Sequence, residues 1–117
     1  MEFDHFTLVS LLSPEVEPRL TEVERDRLQD LHLSNLADLH DAGVLLAAGP
    51  TVGPPNRTVR GYAILNVDPG AALTLMGEDA AVRAGVFELG AIVWMMPAGA
   101  MTFTPTVFPR SVAEAAS

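Results

Sequence analysis

The sequence predicts an α+β domain in which four antiparallel strands carry two helices on one face, with the element order βαββαβ. Its length of 117 residues fits a single domain. Short runs of β-branched and aromatic residues alternate with stretches typical of helices, and Pro or Gly stands near most boundaries. Hydrophobic residues make up 49% of the chain and charged residues 19%, which is enough apolar content for a packed core.

The first strand and the long helix have the clearest sequence signals. Phe3–Leu12 mixes aromatic and β-branched residues and stops before a Ser-Pro pair, as a strand does. Thr21 and Glu24 have the spacing of a capping box, which marks the start of a helix. No Gly or Pro interrupts the chain before Gly43, a favourable C-terminal stop, so the helix should reach about Asp41.

The rest of the chain is divided by clusters of Gly and Pro, which favour turns. Between these clusters lie aliphatic runs that predict strands, two of them close enough to form a hairpin, and one Ala- and Leu-rich stretch that predicts a helix. The predicted elements are a second strand at Val44–Ala48, a third at Thr58–Val67, a short helix at Ala71–Met76 with a helical turn at Asp79–Arg83, and a fourth strand at Val86–Met96.

The domain should span residues 1–98, since Pro97 ends the last predicted strand. Residues 99–117 form a tail that contains Phe103 and Phe108. Apolar side chains in a tail usually cover something, so we expect the tail to pack on the domain or on a partner subunit. The Ala-rich end is expected to be disordered.

The predicted order is that of the ferredoxin-like fold, in which both helices cover the same face of the sheet. Strands one, three and four carry apolar residues on both faces, so the uncovered face must also be buried. A second copy of the chain would bury it, and two sheets packed together would enclose a barrel-like interior. We therefore expect a homodimer or a higher oligomer, with about 800 Å² buried per partner.

Charge and composition exclude several classes of function. The formal net charge is -8, with seven Arg and no Lys, so the chain would repel nucleic-acid phosphates and anionic lipid headgroups. The absence of Cys removes disulfides and thiolate metal sites. The N-terminus lacks the pattern of a secretory signal, and no apolar run reaches the ~20 residues of a membrane span. We expect a soluble cytoplasmic protein.

The long helix contains a polar notch in its apolar side. At about 100° per residue, four leucines fall in one arc of roughly 140° that also includes His32 and Asn35. An unpaired polar side chain costs about 1 to 3 kcal/mol to bury, so both residues should be hydrogen-bonded or reach into a cleft. The arc contains Leu28, Leu31, Leu36 and Leu39, and the opposite side contains Asp26, Asp30, Ser34, Ala37 and Asp41.

Two segments resemble motifs of a known family. Residues 32–50 read HLSNLADLHDAGVLLAAGP, and residues 79–86 read DAAVRAGV. Together they resemble the signature of the YCII-related family, although Ala80 stands where that family usually has Pro. The resemblance implies a dimeric α+β barrel with a paired His and Asp in a pocket between helix and sheet. These residues would be His32 and Asp79.

The implied chemistry is proton transfer. Imidazole titrates near pH 6.5, and a carboxylate bonded to one ring nitrogen fixes its tautomer. His32 would be the base and Asp79 the residue that orients it. Members of this family and superfamily eliminate halide from chlorinated hydroxyquinols or isomerise lactones, so the resemblance implies a cofactor-free lyase, isomerase or dehydrohalogenase. Its substrate would be a small ring-containing carbonyl or phenolic compound. The sequence has no nucleophile elbow, phosphate loop, dinucleotide fingerprint or HExxH motif.

Four further residues are candidates for contacting a substrate: Asn35, His5, Tyr62 and Trp94. Asn35 shares the helix notch, His5 lies on the first strand, and Trp94 faces the same side of its strand as Met96. Tyr62 lies two residues from Arg60, so this pair could bind an anion, although each candidate also has a structural explanation. A metal held by His32, Asp79 and His5 has no spacing signature, and we predict none.

Two other functions stay open at this point. The chain could bind a small molecule or support an assembly without catalysis, in which case His32→Gln would bind normally with no rate to lose. It could instead be a cofactor-independent oxygenase of a phenolic metabolite, which would consume oxygen in the presence of a quinol. Composition and the Pro-rich tail do not distinguish these functions.

Overall fold

The computed structural model describes all 117 residues and contains one four-stranded antiparallel sheet in the order β2-β3-β1-β4. This order, with the helices packed on one face, confirms the predicted α+β class and its βαββαβ core. The elements are β1 Phe3–Leu12, α1 Glu22–Asp41, β2 Leu45–Pro50, β3 Val59–Leu65, α2 Pro69–Gly77, α3 Ala80–Arg83, β4 Glu88–Pro97 and α4 Val112–Ala116. None of the helices combines the length and apolar character needed to cross a bilayer.

Both ends of α1 form as the sequence predicts. Thr21 accepts a hydrogen bond from the backbone N–H of Glu24, whose carboxylate accepts from Thr21 in turn, which completes the capping box. At the other end Gly43 takes φ +78°, and the N–H groups of Gly43 and Val44 donate to the carbonyls of His40 and Leu39. This is a Schellman motif, which only Gly adopts without strain.

Several element boundaries differ from the prediction, three of them at a Pro that was expected to lie outside the element. Pro50 and Pro97 each end an edge strand, where a missing N–H costs no ladder bond, so β2 and β4 extend through them. Pro69 stands at the first position of α2 and Asp68 caps it, so that helix starts two residues earlier than predicted. β2 begins at Leu45 because the Schellman motif uses Val44, and β3 is shorter than predicted at both ends.

The core lies between the sheet and the helices. Alternate residues of β1 are buried under α1 and α2, and the residues between them face the other side of the sheet. The core is composed of Val9, Leu11, Leu36, Leu45, Ala63, Leu65, Ala72 and Met76. Two predictions for α1 were wrong, because Leu31 is 42% exposed and Ala37 is buried. The helix packs against α3 and α4 as well as against β2, so its buried side is not a single leucine stripe.

Residues 99–117, which we call the C-terminal strap, pack back onto the domain. Phe103 makes an edge contact with Phe6 of β1, and the ring of Phe108 stacks on His40 of α1 at 4.1 Å. The predicted disorder of the Ala-rich end differs from the structure, which contains α4 there. Ser111 caps α4 by accepting from the N–H of Glu114.

Gly61 of β3 lies against the backbone of β2. A Cβ at Gly61 would lie 2.8 Å from the backbone oxygen of Gly49, so Gly61→Ala must displace β2. We expect a loss of about 1 to 3 kcal/mol in unfolding free energy, measured by urea denaturation. Gly49→Ala is the matched control, because a Cβ there meets nothing within 4 Å. Equal effects of the two substitutions would contradict this account.

Candidate active site

His32 and Asp79 meet between α1 and the turn before α3. The distance from His32 Nδ1 to Asp79 Oδ2 is 2.7 Å, and both side chains are buried. His32 lies in the middle of α1, while Asp79 is the N-cap of α3. A buried polar contact therefore joins two residues that lie 47 positions apart in the sequence.

Asp79 receives more hydrogen bonds than a cap alone requires. Its Oδ1 accepts from the backbone N–H of Ala81 at 2.8 Å, and its Oδ2 accepts from Asn35 Nδ2 at 3.2 Å as well as from His32. Burial by itself raises the pKa of Asp79, but the bond to His32, its charge and the two N–H donors together outweigh burial. The pKa of Asp79 therefore lies below its ordinary value of 3.8, and the carboxylate is ionised at neutral pH.

The ionised carboxylate sets the tautomer of His32. A carboxylate is only an acceptor, so the proton lies on Nδ1 of His32 and is donated to Asp79. Nε2 of His32 then carries a lone pair when the ring is neutral. Nε2 has no hydrogen-bond partner in the protein. Every fully buried side-chain nitrogen or oxygen has a partner, so Nε2 is not fully buried. Because His32 lines a cavity, we infer that Nε2 faces it.

This cavity lies between α1, the β2-β3 hairpin and the C-terminal strap, and its volume is about 180 Å³. Its lining is mainly apolar, and it contains no Asp or Glu. An apolar wall weakens solvent screening and so strengthens the effect of the few polar groups that face it. The lining residues are Leu11, Gln29, His32, Leu33, Leu36, Ala48, Gly49, Pro50, Arg60, Gly61, Tyr62, Phe87, Phe108 and Pro109.

The four substrate-contact candidates have different positions. Asn35 bonds to Asp79, three residues along the same helix face as His32, and does not line the cavity. Tyr62 borders the cavity beside Gly61, although it pairs with Ser10 and so faces the other side of the sheet. His5 is exposed at the end of β1, outside the cavity.

Trp94 is also outside the cavity. It pairs with Phe6 of β1, which alternates with the buried residues Thr7 and Val9 and so faces away from α1. With 41% of its surface exposed, Trp94 belongs to the uncovered sheet face. The sequence shows that Trp94 shares a face with Met96, but the register of β1 and β4 is needed to decide which face that is.

The sequence did not place Phe87, Phe108 or Pro109 at the site. Phe87 lies just before β4, with its ring 5.2 Å from that of His32. Phe108 and Pro109 come from the strap and close one wall of the cavity. The available signal was the pair of Phe residues in the tail, which predicted that the tail covers something without showing what. Groups of three or more His, Asp and Glu side chains suited to a metal ion do not occur in the chain.

The fold and this pair of residues define a small α+β domain with a buried His–Asp pair beside an apolar cavity. No family model and no curated protein matches the sequence. Among solved structures, the fold is similar to that of 5-chloro-2-hydroxyhydroquinone dehydrochlorinase from Burkholderia phenoliruptrix AC1100, in complex with 2,5-dihydroxybenzoquinone. The TM-score is 0.52 at 19% identity, over 80% of this chain and 95% of that chain. The likeness supports the fold.

Asp79→Ala should lower the free energy of unfolding by about 3 to 5 kcal/mol, because it leaves buried donors without an acceptor. Asp68→Ala is the control, since Asp68 caps α2 in the same way but is exposed and bonds only the N–H of Ala71. Loss of that cap should cost about 1 kcal/mol. Chemical denaturation at pH 7 measures both. Similar losses for the two variants would show that the contact with His32 contributes little.

The difference in unfolding free energy between the wild type and Asp79→Ala should also depend on pH. Because folding lowers the pKa of Asp79, its stabilisation is complete above about pH 4, the unfolded value, and is lost as the pH falls through the folded value. The stability gap between the wild type and Asp79→Ala should therefore narrow below about pH 4. A gap that widens on acidification would contradict the assigned charge state.

Proposed function

We propose that this protein is a cofactor-free acid/base enzyme in which His32 is the general base and Asp79 orients it. The observation that carries the proposal is a buried imidazole with one nitrogen bonded to a carboxylate and the other open to an apolar cavity. An imidazole held in this way needs no reorganisation before it accepts a proton. The two motifs that resemble the YCII-related family begin at His32 and Asp79, the two residues of this pair.

The bonds around Asp79 suit a transient positive charge on His32. When Nε2 takes a proton from a substrate, the imidazolium forms against a carboxylate already fixed by Asn35 and Ala81. The proton can then return to another substrate atom, which is an isomerisation, or remain while a leaving group departs, which is an elimination. Both outcomes use the same two residues.

The cavity supports a small ring-containing carbonyl or phenolic compound as substrate. A cavity of about 150 Å³ is enough to hold benzene in another protein, and this one is about 180 Å³. Ring carbonyls and phenols have acidic C–H or O–H groups that a base near neutral pH can remove. The structurally similar dehydrochlorinase, named for a chlorinated hydroxyhydroquinone, is consistent with this class.

His32→Gln should reduce turnover by about 100- to 10,000-fold while substrate binding is retained, because Gln keeps polarity but cannot act as a base. The assay is halide release or isomerisation across a panel of halogenated hydroxyhydroquinones and ring lactones. Binding of 2,5-dihydroxybenzoquinone by calorimetry checks that the cavity is intact.

His5→Gln is the matched control, since His5 lies outside the cavity and its loss should leave turnover unchanged. Full activity in His32→Gln would overturn the proposed role of His32. If the wild type turns over no compound of the panel, and it and His32→Gln bind 2,5-dihydroxybenzoquinone equally well, the non-catalytic binding function is favoured instead.

We also propose that two copies of the chain pair through the sheet face opposite α1. Monomeric proteins rarely expose apolar patches larger than a few hundred Å². This face presents Phe6, Leu8, Ile64, Ile92 and Trp94, and the last two are 61% and 41% exposed. No helix covers it in the single chain. The same face of a second copy is equally apolar and would bury it.

Ile92→Lys should weaken self-association at least tenfold, or about 1.4 kcal/mol, because it buries an unpaired charge at the proposed interface. Val93→Lys is the control, since Val93 is similarly exposed but faces the other side of β4. Sedimentation velocity over a range of concentrations measures both. A wild type that stays monomeric, or equal effects of the two lysines, would contradict the proposed face.

A further inference from the structure

The C-terminal strap is tied to α1 by a series of specific contacts. The N–H of Thr106 donates to Nε2 of His40 at 3.0 Å, so Nδ1 carries the His40 proton and donates to the carbonyl of Leu45. Arg110 donates to Asp38 at 2.7 Å and to Asp41 at 2.8 Å. The strap therefore has a defined position along α1.

Phe108 occupies the middle of these contacts. Its ring stacks on His40 at 4.1 Å with an interplanar angle of 17°, and it packs against the core cluster. Together with Pro109 it lines the cavity that contains His32. The other walls come from α1 and the sheet, so Phe108 is the bulky side chain that the strap contributes to the cavity.

We propose that Phe108 is a specificity-determining residue that limits the cavity to ligands with a single ring. The proposal rests on the proposed function in one respect, since it assumes that the cavity containing His32 is the ligand site. A cavity of about 150 Å³ holds benzene in another protein, so a volume of about 180 Å³ suits one ring with small substituents, and Phe108 bounds the space for a second ring on the strap side. Removing the ring of Phe108 enlarges the cavity on the strap side.

The test compares the binding of phenol and 2-naphthol, which share a hydroxyl and differ by one fused ring. Wild type should bind phenol more tightly than 2-naphthol in ligand-observed NMR titrations. Phe108→Ala should raise the affinity of 2-naphthol relative to phenol by about tenfold or more, the range expected when an apolar pocket gains room for extra carbons. Phe108→Leu is the second variant, for use if Phe108→Ala folds poorly. It keeps an apolar contact with the core and should shift the affinity ratio in the same direction by a smaller factor.

Phe103→Ala is the matched control, because Phe103 lies on the same strap but packs on Phe6, on the other side of the sheet. It should leave the affinity ratio unchanged. The proposal is overturned if phenol does not bind the wild type, if neither Phe108 variant changes the ratio, or if Phe103→Ala changes it equally. These readouts involve no turnover, so they are independent of the test that His32→Gln provides for the base.

Discussion

The hydrogen bond between His32 and Asp79 is the contact on which the rest of the site depends. It joins the middle of α1 to the first turn of α3 across 47 residues of sequence. Taking a carboxylate out of water is costly unless donors replace the lost hydration. Here His32, Asn35 and the N–H of Ala81 supply them, and together they hold the pKa of Asp79 below its ordinary value. The carboxylate thus stays charged while buried.

A fixed charge behind the imidazole gives its two nitrogens different roles. Nδ1 of His32 is committed to Asp79, and Nε2 is left for the cavity. The apolar lining of the cavity supports this division, because competing acidic side chains are absent from it. The ring of Phe87 lies 5.2 Å from that of His32. A base with a defined tautomer beside a small apolar cavity is the chemical basis of the proposed function.

The two faces of the sheet have separate tasks in the arrangement we propose. The face under α1 and α2 forms the core and one wall of the cavity, while the other presents Ile92 and Trp94 to a second copy. The C-terminal strap touches both sides, through Phe103 on β1 and Phe108 on α1. Binding at the cavity and association of chains therefore share a connecting segment, although they use different side chains.

The sequence by itself determined the element order, the ends of α1 and the identity of the buried pair. These depend on local chemistry, such as the capping box at Thr21 and the positive φ of Gly43, or on motifs that keep His32 and Asp79 in order. It did not determine which neighbours each side chain meets. Asn35 turned out to bond Asp79, and His5 and Trp94 lie outside the cavity.

Those outcomes follow from strand register and packing, which involve residues far apart in the chain. The pairing of Phe6 with Trp94 assigns Trp94 to the open face, and a shift of one residue would have moved it to the other side. Ala37 is buried and Leu31 exposed because α3 and α4 cover parts of α1 that a single leucine stripe does not predict. Phe108 lines the cavity because the strap folds back along α1. That position depends on the contact between Phe108 and His40, which are too far apart in the chain for a local pattern to predict.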